Sequence, residues 1–434
     1  MLEAMGLSSL DQLFRDIPEE VRLSAPLNLP PPQAEADVMG QLERLAAKNT
    51  TKVLFAGTGQ YDHVIPAAVA RLIGRAEFVT AYTPYQPEIS QGILQALFEF
   101  QSAMAEITGL PVSNASLYDG ATAAAEAGAM ALGACRTSKR LLIASTVHPY
   151  VRTALETHFR DLDVQLEYLP EEHGHISLKT LKEALQSQEG TAGVLVQTPN
   201  IYGIIEDLTG WAEAIHEAKG HLIISSNPVS LGALRSPAEW GADIAVGDNQ
   251  PLGLPPCFGG PSAGYICCTE KLMRRMPGRI VGESVDADGR RAFVLTLQAR
   301  EQHIKRERAT SNICTNQSLA ALANLVYLSL LGPQGYEELA QRNIQGTLAL
   351  QQGLRKLGLH QAFEAPNFNE FVVKIPVPRE DWEKIFATKG ILSGTWLSTL
   401  SSEYSKDLLA ICVTEKRTAQ ELQQYLACAQ EALQ

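Results

Sequence analysis

Gly241-Ala-Asp-Ile-Ala-Val-Gly-Asp-Asn-Gln-Pro-Leu-Gly-Leu-Pro-Pro-Cys-Phe-Gly-Gly-Pro261 is the stretch on which the reading of this chain turns. Ile244 to Val246 is a short, unbroken apolar run, the pattern of a strand buried on both faces. It empties into a turn crowded with glycine and proline, where the backbone must bend sharply. Gln250 stands between the strand and that turn, and its amide is no nucleophile.

Working outward, the same kind of apolar run recurs at Leu141 to Ala144, Val194 to Gln197, Leu222 to Ser225 and Tyr265 to Cys268. Stretches with helical periodicity separate the runs, Trp211 to Ala218 among them. Apolar strands alternating with amphipathic helices predict an α/β architecture around a mostly parallel sheet covered on both faces. Beyond Gly332-Pro333 the pattern changes to a long helix, Tyr336 to Leu357, then strands Phe371 to Ile375 and Leu409 to Val413 and a closing helix, Ala419 to Leu433. That segment reads as a smaller α+β domain. At the other end, Ser9 with Gln12 suggests a capping box on a short helix before Pro18. Pro30-Pro31-Pro32 stiffens the approach to an amphipathic helix over Ala34 to Lys48, with Val38, Leu42 and Leu45 on one face. The expected organisation is a helical N-terminal extension over 1–75, a large domain over 76–330 and a small C-terminal domain over 331–434.

Bulk composition narrows the class. A chain of 434 residues with 45% hydrophobic and 19% charged residues folds around a full core. Lys+Arg 36 against Asp+Glu 48 gives −12, with no basic block to meet nucleic acid or an anionic membrane. The seven cysteines include no Cys-x-x-Cys pair, so zinc and thiol-exchange chemistry are not expected, and scattered reduced thiols suit the cytoplasm. No basic leader with an apolar core opens the chain, and no apolar run reaches membrane-spanning length.

Four features carry chemistry when taken in order. Asn114-Ala-Ser-Leu-Tyr-Asp-Gly-Ala-Thr-Ala-Ala-Ala-Glu126 places a small-residue turn at a helix start, where free N–H groups and the dipole can hold a phosphate; a tightly packed helix entry explains the same residues. His148 follows a strand, at the edge where α/β ligands bind, and can stack on a flat ring or serve structure alone. Asn227 follows another strand, where a pyridoxal-phosphate (PLP) enzyme needs an acid to keep its pyridine nitrogen protonated. Gln250 takes the place of the Schiff-base lysine, and it cannot form an imine with an aldehyde. The succession is that of a fold-type I PLP-dependent transferase in which both decisive electronic groups are neutral amides. Gly57-Thr-Gly59 lacks the third glycine and the strand-to-helix unit of a dinucleotide loop and is set aside.

Two further motifs stand out. Ala81-Tyr-Thr-Pro-Tyr-Gln-Pro-Glu-Ile-Ser-Gln-Gly92 is extended, proline-fixed and aromatic, which suits either a ligand pocket or a rigid packing loop. Arg300-Glu-Gln-His-Ile-Lys-Arg-Glu-Arg-Ala-Thr-Ser-Asn-Ile-Cys-Thr-Asn-Gln317 starts as a charged, helix-like face and ends in a cluster of hydroxyls and amides.

With these motifs the chain resembles the α subunit (subunit 1, the N-terminal half) of the glycine decarboxylase family, the P-protein of the glycine cleavage system. The likeness runs nearly end to end, through Leu10 to Arg22, Gly57 to Pro66, Tyr82 to Gly92, Gly241 to Pro261, Arg300 to Gln317 and Val413 to Arg417. The resemblance implies an oxidoreductase subunit in an α2β2 heterotetramer with a homologous β subunit that carries PLP on its own lysine. It implies decarboxylation of glycine and transfer of the aminomethyl group to the lipoyl arm of the H-protein. Asn249-Gln-Pro251 aligns with the lysine tripeptide of β, so the chain has no catalytic residue of its own. Thr315 and Asn312 are then candidates for the partner's cofactor, and Tyr82, Tyr85 and Gln86 for the glycine and lipoyl side of that site. Two rivals are a PLP or pyridoxamine-phosphate enzyme that works without the lysine and a purely structural subunit. The first needs a replacement base, which Gln250 is not. Neither metal nor nucleic acid is expected.

Overall fold

All five apolar runs expected as strands lie in one seven-stranded sheet of the computed structural model, which describes residues 1–434 apart from Ser24, Arg136, Ser187, Gln188 and Phe258. In chain order its strands are β1 (Val112–Ser113), β2 (Arg140–Ala144), β3 (Gln165–Leu169), β4 (Gly193–Gln197), β5 (His221–Ser225), β6 (Ile244–Asp248) and β7 (Gly264–Cys268). They lie side by side as β1-β7-β6-β5-β4-β2-β3. The pairs from β3 to β6 are parallel, whereas β7 runs antiparallel to both β6 and β1. The strands read from continuous apolar runs are buried along nearly their whole length, as doubly covered strands must be. The two that sequence did not announce are edge strands. Gln165-Leu-Glu-Tyr-Leu169 is only partly buried and mixes polar with apolar residues, and Val112-Ser113 is too short to leave a pattern.

Apolar layers cover both faces. On one, Ala123, Ala127 and Met130 of α3 (Gly120–Ala134) pack with Leu155 and Phe159 of α4 (Pro149–Phe159) and with Trp211. On the other, Leu94, Leu97, Phe100 and Met104 of α2 (Gln91–Thr108) meet Ala321 and Tyr327. The alanine-rich stretch at 121–131 is explained by closeness. A Cβ at Gly120 would sit 2.8 Å from the backbone N of Asp248, so only small residues let α3 lie that near β6.

A small antiparallel sheet of Glu370–Lys374, Leu408–Cys412 and Thr395–Trp396 closes the C-terminal part. Helices Arg379–Thr388 and Ala419–Ala432 bury Trp382, Phe386 and Tyr425 against it. Thr418 and Glu421 form a capping box at the start of the closing helix.

The long helix starts earlier than its sequence suggested, at Ser318, and runs to Lys356 through a kink at Gly332 (φ 63°, ψ 178°) followed by Pro333. Gly-Pro reads as a terminator, but here it bends the axis and the helix resumes beyond it. The expected boundary at 330/331 falls beside that kink. Contacts divide the chain into Met1–Thr51 and Lys52–Gln434, so the expected boundary at residue 75 lies inside the second unit. The reason is local: Val53 and Leu54 pair in parallel with Ile391 and Leu392. In the first unit α1 spans Glu35–Ala46, close to expectation, and no described residue of Met1–Thr51 is buried. The capping box on Ser9 does not form. Leu10–Phe14 is a 3-10 turn, and Gln12 Oε1 accepts from Ser8 N at 2.7 Å instead.

Candidate functional site

The ends of β4, β5 and β6 open on a crevice of about 260 Å³ whose walls include Asp119, His148, Gln197, Ser226, Asn227 and Asp248. Ligands of open α/β sheets bind at this edge. Each wall residue is placed by the element it ends. His148 caps α4, its Nδ1 accepting from Tyr150 N at 3.1 Å, and Asn227 Oδ1 accepts from Val229 N at 3.0 Å.

Gln250 lies behind this wall, 1% exposed, with every polar atom of its amide engaged. Oε1 accepts from Tyr61 N at 2.8 Å, while Nε2 donates to Tyr61 O at 2.9 Å and to Leu254 O at 2.7 Å. Asn324, from the long helix, fixes the same turn by donating to Asn249 O and Leu252 O. The segment Gly57 to Tyr61, set aside as a nucleotide loop, borders the crevice as a strap. Glu370 holds it by accepting from Thr58 N at 2.5 Å and from the Tyr61 hydroxyl at 2.7 Å. His148 donates from Nε2 to Thr58 O at 3.0 Å. Only a glycine fits at 57, because a Cβ there would run into the Glu370 carboxylate and Cys412. Burial pushes Glu370 up from the usual carboxylate range and His148 down to about 4, so His148 stands neutral with both ring nitrogens committed.

The turn expected to seat a phosphate is already filled. Asp119 accepts from Thr122 N at 2.7 Å, and Asp248 accepts from Gly120 N at 2.9 Å as well as from Gln250 N and the Ser262 hydroxyl. Two carboxylates therefore answer the free N–H groups of α3 where a phosphate would have done so. Burial, with the neighbouring charge of Asp119, raises Asp248. No lysine or arginine is among the described residues lining the crevice. With an amide at 250, an amide at 227 and acids at the helix start, these residues do not fit PLP.

A second cluster gathers the two aromatic and polar motifs. Tyr82 is 85% exposed and walls a cleft of about 280 Å³ with Asn316, Gln317, Ser318, Leu319 and Leu322. Asn316 and Gln317 in turn reach Ser116, whose hydroxyl accepts from Asn316 Nδ2 and from Gln317 N, each at 3.1 Å. Ser116 sits at φ 136°, a strained value for a residue with a side chain. Thr315 is half-buried and Asn312 exposed; neither lines that cleft, and the Thr315 hydroxyl has no hydrogen bond to another described residue. Gln86 is exposed at the head of a 3-10 turn, Pro87–Ile89, and does not cap it with its side chain. Tyr85 accepts from Arg279 Nη2 at 2.7 Å. Arg279 was not foreseen, since a single arginine ahead of a strand carries no pattern. Glu126 carries no sequence signal beyond its place in a helix start; burial lifts its carboxyl to about 7, against a hydrogen bond to Ser311.

Comparison with known proteins accords with this geometry. Residues 1–428 match the family model described as glycine cleavage system P-protein. The chain is similar to a probable glycine dehydrogenase (decarboxylating) subunit 1 of Listeria welshimeri, 46% identical over 430 residues that cover 98% of this chain and 95% of the relative. It is similar also to that of Bacillus licheniformis, 45% identical over 97% of this chain and 94% of the relative. A crystal structure of glycine decarboxylase (P-protein) in inhibitor-bound form superposes with a TM-score of 0.90 at 40% identity, covering 100% of this chain and 97% of that one. Glutamate decarboxylase of Lactobacillus brevis, at 13% identity and a TM-score of 0.70, shares the fold alone, which is that of the fold-type I PLP enzymes. The chain belongs to the glycine cleavage system P-protein family.

Proposed function

We propose that this chain is the lysine-lacking α subunit of a cytoplasmic glycine dehydrogenase (decarboxylating), completing a PLP site carried by a homologous β subunit in an α2β2 assembly. Glycine is the substrate, and the aminomethyl group passes to the lipoyl arm of the H-protein. The carrying observation is Gln250, a buried amide with three hydrogen bonds at the lysine position, in a chain whose relatives are named subunit 1. When bound to the partner, PLP supplies the electron sink for decarboxylation. This chain binds and orients. Thr315 and Asn312 offer donors to the cofactor, while Tyr82, Tyr85 and Gln86 border the side where glycine and the lipoyl arm enter. The free Thr315 hydroxyl and the exposed tyrosines support those roles.

An enzyme working without the lysine is disfavoured by His148, the one histidine among the described residues lining the crevice. Its nitrogens already serve Tyr150 N and Thr58 O. The test is reconstitution with a lysine-bearing homologous chain. Glycine-dependent exchange of labelled bicarbonate should appear with the two chains together and H-protein, and with neither chain alone. Activity of this chain by itself would dismiss the assignment.

A further inference from the structure

We propose that Arg279 is an oxyanion-binding residue, taking the carboxylate or phosphate of a small ligand when the Tyr85 side chain moves aside. Arg279 is 1% exposed, and among the described residues it forms no ion pair. Its Nη2 donates to the Tyr85 hydroxyl, but Nε and Nη1 have no partner among the described residues. A guanidinium stays charged at any working pH, so burying it unpaired is costly. Arg140, buried to a similar degree at 3%, shows what a structural arginine does in this fold. It pairs with Glu167 at 2.7 Å and donates to Ala184 O, Gly190 O and the Thr191 hydroxyl. Arg279 has nothing comparable.

The charge lies one side chain below the surface. Tyr85, 55% exposed, covers it, with the Arg279 Cζ 5.0 Å from the ring centroid. Once the tyrosine hydroxyl departs, Nη2 forms a two-nitrogen edge with either unpartnered neighbour, the geometry that grips a carboxylate or phosphate. The backbone behind the guanidinium is fixed. Arg279 O accepts from Ala115 N at 2.8 Å, and Gly278 O accepts from Arg300 Nη2 at 2.8 Å. The strained Ser116, held by Asn316 and Gln317, continues that support, so both motifs of the second cluster converge on Arg279. In the proposed function the oxyanion is the carboxylate of glycine or the phosphate of the partner's cofactor, and that identification rests on the reading above.

The full chain tests the binding without any activity. At fixed ionic strength, inorganic phosphate or acetate in place of chloride should raise the unfolding midpoint of the native chain and of Y85F. It should not raise that of R279M. R279K, which keeps the charge and the fold but loses the fork, should bind about ten- to a hundredfold more weakly. In the assembled enzyme, R279K raising the glycine KM with PLP affinity unchanged identifies the carboxylate; weakened PLP binding with KM unchanged identifies the phosphate. If native chain, R279K and R279M respond alike to all three anions, Arg279 is a structural residue and the proposal falls. Failure of the native pair to decarboxylate glycine would dismiss the proposed function and leave the anion result standing.

Discussion

The side-chain amide of Gln250 and the backbone of Tyr61 are bonded in both directions: Oε1 accepts from Tyr61 N at 2.8 Å, and Nε2 donates to Tyr61 O at 2.9 Å. The pair mimics two rungs of a strand ladder and ties the strap over the crevice to the turn after β6. Gln250 is thus a structural clamp, and placing an amine there undoes it.

Gln250→Lys should therefore destabilise the chain without creating a site. An ammonium can still donate to Tyr61 O and Leu254 O, but Tyr61 N is left buried without an acceptor, which costs about 1–3 kcal/mol. Asn227 supplies no charge to a pyridine ring, and Asp119 and Asp248 hold the helix start. Urea unfolding should show a lower midpoint, and the variant alone should show no glycine decarboxylation. Turnover by the variant chain without a partner would mean that the crevice can hold a working cofactor after all.

Mixed with PLP, the purified native chain should show no imine absorption, and borohydride should leave no pyridoxyl group near residues 247–254. There is no amine in that turn, and two carboxylates oppose the phosphate. Peptide mass spectrometry reads the outcome; a pyridoxyl-lysine from the crevice would contradict the clamp.

Two buried groups should give opposite pH dependences. Glu126 keeps its proton in the folded chain up to about pH 7, whereas unfolding returns it to an ordinary value of 4.5. The folded state binds more protons between these values, so this group makes stability fall as pH rises. His148 stays neutral down to about pH 4 when folded and titrates at 6.5 when unfolded. There the unfolded state binds more protons, so its contribution is present above 6.5 and is lost as pH falls to 4. Relative to the native chain, Glu126→Gln should change from neutral near pH 4.5 to more stable by about 3 kcal/mol at pH 7. The deficit of His148→Gln should instead grow by about 3 kcal/mol from pH 4 to 6.5. Denaturant midpoints across pH 4–8 separate the two.

The sheet was legible because doubly buried strands leave unbroken apolar runs, as at Leu141 to Ala144 and Leu222 to Ser225. The edge strand Gln165–Leu169 was not, since half-wet strands mix polar residues into the run. That the turn after β6 offers an amide and no amine could be read from one residue, Gln250. The contacts that hold the crevice could not: the Glu370 and Asp248 carboxylates act across long sequence separations, Tyr61 lying far from Glu370 in the chain yet 2.7 Å away in space. Arg279 escaped for the same reason. Its significance is a guanidinium with no ion-pair partner among the described residues, and sequence does not display absences of contact.

Thr315 offers the sharpest distinction between a site residue and a structural one. Its hydroxyl makes no hydrogen bond to another described residue, although Asn316 and Gln317 beside it are anchored on Ser116. If that hydroxyl donates to the phosphate of the cofactor on β, Thr315→Val removes one bond to a charged acceptor at nearly constant volume. Such a bond is typically worth roughly 1.5–3 kcal/mol. PLP affinity of the reconstituted αβ enzyme should then fall about ten- to a hundredfold, with assembly intact by gel filtration. A purely structural threonine makes the opposite demand, weakening folding or association and leaving PLP affinity alone. The free hydroxyl argues against that, because it has no hydrogen bond to a described residue to lose, and the unfolding midpoint of the isolated chain should scarcely move. An unchanged PLP titration with intact assembly would remove Thr315 from the site.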